Sequence, residues 1–136
     1  MTQPIKNKNK KHITNKDNVK KNIYNTSKLE YYFIKNFLNV LKIKYIHQWK
    51  SSIGKIYDFY LPESKILIEI DGDYYHTNPN VYTVPINEMQ KKNIINDKIK
   101  NEWAISNGIV LLRFWEFDIY FNRSKIMKIL KSKIMI

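Results

Sequence analysis

Apolar residues recur at helical intervals over Leu29, Phe33, Phe37, Val40 and Leu41, and Ser27 with Glu30 has capping-box spacing, so a helix is expected from Ser27. The period then changes. Lys44 to Trp49 and Ile56 to Leu61 read as strands separated by a loop around Gly54, and Pro62 to Lys65 reads as a turn. The run from Ile66 is so apolar that its strand belongs in the middle of a sheet. An irregular stretch holding Pro79 and Pro85 leads to a second helix that ends before Gly108. Ile109 to Trp115 returns to strand, and a short C-terminal helix starts near Ser124. The predicted class is α/β in the order α-β-β-β-α-β-α, without an internal repeat.

Three acids break this pattern where they are expensive to bury. Asp58 sits among Ile56, Tyr57, Phe59 and Tyr60, and Glu69 and Asp71 interrupt Ile66, Leu67, Ile68 and Ile70. Alternation puts Glu69 and Asp71 on one face of their strand. If Leu61 pairs with Ile66, Asp58 falls opposite Glu69, with Cβ atoms roughly 4.5–5.5 Å apart, where like charges repel. A divalent cation turns that repulsion into binding. Mg²⁺ takes one or two carboxylates and keeps its other positions for water and phosphate, which suits hydrolysis at a phosphoryl centre. The plainer alternative pairs Asp58 with a lysine at a strand edge and leaves Glu69 and Asp71 solvated at the end of the sheet.

Charge strengthens the first reading. The chain carries 24 Lys and Arg against 12 Asp and Glu, a net +12 that favours a polyanionic partner. Residues 1–21 hold seven Lys against one Asp and almost nothing apolar, and read as a disordered basic arm. Removing that segment's +6 leaves +6 on a single domain over 22–136. The absence of cysteine excludes disulfides and thiolate zinc sites. With no apolar leader and no membrane-length run, the expected location is cytoplasmic.

Glu30, Asp58, Asp71-Gly72, His76, Asp97 and the segment Gly108 through Leu112-Arg113-Phe114-Trp115-Glu116 follow one another in a pattern that resembles the very-short-patch-repair (Vsr) endonucleases and the related EDxHD homing endonucleases of the PD-(D/E)xK superfamily. The resemblance spans residues 27 to 118. It implies a restriction-endonuclease-like fold, a mixed central sheet flanked by helices, acting on double-stranded DNA with Mg²⁺ or, in its place, Mn²⁺, as a monomer or homodimer. By this likeness Asp58 is the principal metal ligand, joined by Glu69 and the Ile70 carbonyl. Glu30, Asp71, His76 and Asp97 are the other catalytic candidates.

Each candidate has a competing reading. A capping box with Ser27 accounts for Glu30, and Asp97 points away from Ile95 and Ile99, as a solvated acid would. A histidine near a phosphate, such as His76, can protonate a leaving oxygen. Asp71 departs from the superfamily, where lysine stands, and from the Vsr pattern, where histidine does, so the group that activates water is open. Lys91 and Lys92 are candidates to replace that lysine or to meet DNA. Tyr74 and Tyr75 stand where Vsr-like proteins carry aromatics that wedge into DNA. An RNA or structure-specific nuclease, or a non-catalytic DNA-binding module, fits the same residues.

Overall fold

The computed structural model of the chain describes residues 27–74, 76, 78–80, 84–85 and 87–134. The basic arm and Tyr75 lie outside the described residues. Helix α1 (Lys28–Phe33) continues into a π-helical turn (Ile34–Leu38) and is followed by strands β1 (Ile46–Lys50), β2 (Ile56–Leu61) and β3 (Ile66–Asp71). Helix α2 (Glu88–Ser106), strand β4 (Val110–Trp115) and helices α3 (Glu116–Phe121) and α4 (Arg123–Ile134) complete an α/β architecture. The sheet order is β1-β2-β3-β4. The first three strands run antiparallel, and β4 pairs with β3 in parallel. Every residue of β3 is buried, in keeping with its apolar run.

Helices α1, α3 and α4 close one face of the sheet over Phe59, Ile68 and Ile70, and α2 closes the other over Tyr57 and Leu67 with Ala104. The strands do not keep strict alternation between these two cores. Phe59 and Leu61 enter the first core and Tyr60 packs against the second, yet Tyr57, two residues from Phe59, also enters the second. Strand β1 does the same. His47 stacks on Phe59 with centroids 5.1 Å apart, whereas Trp49 stacks on Tyr60 at 4.9 Å. The break falls at Gln48, whose φ is 54°, and Asp58, because the ladder passes from His47↔Phe59 to Trp49↔Tyr57. A two-residue side-chain period is lost wherever one residue leaves the pleat.

Three departures from the sequence pattern have physical causes. Val40 is 54% exposed, although its spacing puts it in the apolar stripe. The π-helical turn, with Asn39 N–H on the Ile34 carbonyl at 2.8 Å, rotates the chain so that Leu38 is buried. The C-terminal helix expected near Ser124 is present as α4, and a further helix, α3, precedes it. Asn122 ends α3 by donating from its backbone N–H to the Asp118 carbonyl at 2.8 Å and from Nδ2 to the Asp118 carboxylate at 2.6 Å. Finally, the inner face of α2 is polar. Gln90, Lys100 and Ala104 are buried while Ile95, Ile99 and Ile105 are exposed, so hydrophobic periodicity inverts on the helix that roofs the acids.

Candidate active site

The β2–β3 ladder runs from Leu61↔Ile66 to Phe59↔Ile68. The next opposed pair is Asp58 and Glu69, and there side chains replace the ladder. The Asp58 N–H donates to Glu69 Oε1 at 3.0 Å, and the Ile70 N–H donates to Asp58 Oδ2 at 2.6 Å. Both acids are therefore held in the seam of the sheet, each satisfying a backbone donor of the other strand. A strand residue presents its N–H and C=O to the same neighbour, so the Ile70 carbonyl also faces this gap. Burial, then the charges of Glu69 and Glu30, push the Asp58 carboxyl well above the usual carboxylate range.

Glu69 is raised mainly by burial, against the opposing pull of Lys100 and Arg113. Lys100 Nζ stands 3.2 Å from each Glu69 oxygen. The ammonium lies 5.4 Å from the centroid of the Tyr57 ring, and the Tyr57 hydroxyl donates to the Lys100 carbonyl at 2.8 Å. A lysine this buried depends on its partners, because an ammonium left unpaired away from water is costly.

A cleft of about 610 Å³ opens over these groups, walled by Glu30, Asp58, Glu69, Ile70, His76 and Lys100 among others. Glu30 belongs to the N-cap and also faces the cleft. Its N–H donates to Ser27 Oγ at 3.1 Å, the N-cap bond, while its carboxylate turns inward and meets His47 Nε2 at 3.0 Å. His76 Nδ1 meets Asp97 Oδ2 at 2.6 Å. Burial by itself would lower the His76 pKa, but the bond to Asp97 and the charges of Asp71 and Asp97 outweigh it and the net direction is upward. Asp97 does point away from Ile95 and Ile99, but those isoleucines face solvent and Asp97 faces the site.

Asp71 lies behind this cleft, 2% exposed and tied to Arg113, whose Nη1 donates to its two oxygens at 2.9 and 3.0 Å. Asp71, His76 and Asp97 bring one donor atom each within 4.8 Å of one another, a grouping that could hold a metal ion. The Arg113 guanidinium already stands there, 3.6 Å from Asp97 Oδ1 as well. Asp58 and Glu69 with the Ile70 carbonyl fit a hard divalent cation better. They are oxygen donors facing one gap, with like-charge repulsion that Lys100 only partly offsets.

The structure thus brings Glu30, Asp58, Glu69, Ile70 and His76 to one cleft and sets Asp71 and Asp97 beside it. It leaves Lys91 and Lys92 exposed on α2, with Lys91 3.1 Å from Glu88. Tyr74 is 39% exposed, with its hydroxyl accepting from Asn87 Nδ2 at 2.7 Å. Sequence reasoning missed Lys100, Arg113 and His47. The first two carried a signal: Lys100 lies one helical turn beyond Asp97, and Arg113 falls opposite Glu69 once β3 and β4 are paired in parallel. No helix among the described residues is long and apolar enough to cross a membrane, and the sequence has no cysteine for a thiolate zinc site. No protein-family model matches the chain, and no curated protein matches it.

Proposed function

We propose that this chain is a Mg²⁺-dependent DNA endonuclease, with a restriction-endonuclease-like core of the Vsr and EDxHD type. The observation that carries the reading is the seam itself: two carboxylates, Asp58 and Glu69, replace backbone pairing between β2 and β3 at the floor of a cleft that also holds two further carboxylates, Glu30 and Glu116, and a histidine. Asp58, Glu69 and the Ile70 carbonyl would hold the cation. Mg²⁺ bound there supplies Lewis-acid stabilisation of the phosphoryl charge.

The chain's own groups account for the proton chemistry. The Asp97 carboxylate accepts from His76 Nδ1–H, which leaves Nε2 to face the substrate, and the raised pKa keeps a proton on the ring near neutrality for a leaving oxygen. Lys100 opposes the burial that raises the Glu69 carboxyl and holds it at 3.2 Å. The +6 that residues 27–136 carry favours a phosphodiester polyanion as substrate.

The experiment is incubation of the full chain with supercoiled plasmid in Mg²⁺ or EDTA, beside the Asp58→Asn variant. Cleavage in Mg²⁺ alone, absent from the variant, is the expected result. Binding without cleavage in any divalent metal would replace this reading with a non-catalytic DNA-binding module, and cleavage of RNA in preference to DNA would change the substrate class.

A further inference from the structure

We infer that His47 is a positioning residue of this cleft, holding the Glu30 carboxylate where it receives the proton of the attacking water. The inference rests on the nuclease reading and assigns a role to a residue that sequence reasoning passed over.

Two imidazole–carboxylate pairs line the site from different elements. His76 and Asp97 come from the segment after β3 and from α2, and His47 and Glu30 from β1 and α1. In the first pair the histidine lines the cleft with the acid behind it. In the second the order is reversed, because Glu30 lines the cleft and His47 is not among its walls. Hydrolysis needs both polarities. As the oxygen of water forms its bond to phosphorus, an O–H bond breaks and the proton passes to an acceptor. As the bond from phosphorus to the leaving oxygen breaks, that oxygen takes a proton from a donor. His76, which retains its proton, suits donation, and Glu30 suits acceptance.

Glu30 also has acceptor capacity to spare. Asp58 is committed to the Ile70 N–H, Glu69 to Lys100 and the Asp58 N–H, and Asp71 to Arg113. The Glu30 carboxylate receives His47 Nε2 on Oε1 at 3.0 Å and a long contact from Ser27 Oγ on Oε2 at 3.4 Å, which leaves lone pairs for water. A glutamate in the first turn of a helix has three freely rotating side-chain torsions, so it keeps one orientation only if something holds it. His47 does so. Its ring is fixed by stacking on Phe59, with planes 21° apart, and both side chains are nearly enclosed, His47 at 10% and Glu30 at 14% exposure. The departure from pleating at Gln48 lets His47 turn to the α1 face while Trp49 serves the other core.

The test compares His47→Leu, which keeps bulk but removes the donor, with His47→Gln, whose amide nitrogen stands near the place of Nε2. His47→Leu is expected to lower kcat on plasmid about tenfold or more, the usual scale for a supporting hydrogen bond, with KM unchanged, and His47→Gln to retain most of the rate. Glu30→Gln with His47→Leu should be no slower than Glu30→Gln alone, since the histidine acts through the acid. A readout independent of turnover is the ¹⁵N resonance of His47 Nε2 in metal-free protein, which should move in Glu30→Gln. A parent that cleaves while His47→Leu matches it, losses that multiply in the double variant, or a resonance that stays in place would each overturn the assignment. A parent that cleaves nothing would overturn the nuclease reading instead.

Discussion

Arg113 Nη1 is bonded to both oxygens of Asp71, at 2.9 and 3.0 Å, so this acid is occupied by an arginine from the neighbouring strand. Asp71 is thereby a structural partner of Arg113. Asp71→Asn leaves the guanidinium beside a neutral amide in a buried setting, and breaking such a pair costs on the order of 3 kcal/mol. The variant should melt well below the parent while Ca²⁺ still stabilises it by the parental amount. An unchanged melting temperature with cleavage abolished would return Asp71 to the chemistry.

Asp58→Asn is expected to abolish cleavage and preserve DNA binding or tighten it, since a negative charge facing phosphate is lost together with the metal ligand. The substitution has a second effect. The amide oxygen must take the Ile70 N–H, as Oδ2 does now, which turns the amide NH₂ toward the position a cation would fill. Melting without metal should be equal to or above the parent, because burial and like charge already make an ionised Asp58 costly. Stabilisation by Ca²⁺ should shrink. Plasmid cleavage at parental rate would remove Asp58 from the metal assignment.

Lys100→Met strips Glu69 of its ammonium partner while keeping the bulk of the stem. The metal-free protein should then lose stability at neutral pH, as a buried carboxylate is left less compensated. A divalent cation would supply the missing positive charge, so the rise in melting temperature on adding Ca²⁺ should be larger in the variant than in the parent. A smaller rise would mean that Glu69 is not beside the cation.

The His76–Asp97 pair gives a pH signature. The folded-state pKa of His76 is raised above 6.5, so its contribution to stability is fully present below that value and is lost as pH rises through the folded pKa. The raised carboxyls of Asp58, Glu69 and Asp71 act with the same sign but begin at lower pH. Over roughly pH 6 to 9 the melting temperature should therefore decline, and Asp97→Asn, which removes the strongest support of the imidazolium, should flatten that decline. Parallel parent and variant curves would argue against the pair as the proton store.

Much of the sheet was legible because each of its signals is local. The turn at Pro62 to Lys65 sets the β2–β3 register, and the observed Leu61↔Ile66 pairing is the one that brings Asp58 opposite Glu69. The helices were harder. The inner face of α2 carries Gln90, Asp97 and Lys100 because it covers buried acids and a histidine, and a rule that assigns apolar residues to the interior misdirects there. His47 left no trace in the chain. Its place depends on the left-handed backbone at Gln48, a residue type that carries no local mark of such a turn.

The loss of pleating at Gln48 and Asp58 has a genetic consequence. The acids sit where residues of one strand are shared between two apolar layers, Phe59 on one side and Tyr57 on the other, so neither layer can shift without moving the carboxylate between them. Second-site suppressors of a weakened Asp58 or Glu69 variant should then arise among buried residues of both layers, such as Phe33 and Leu67, more often than along the cleft wall. A protein selected for greater heat resistance through tighter packing of one layer alone would carry Asp58 and Glu69 out of register.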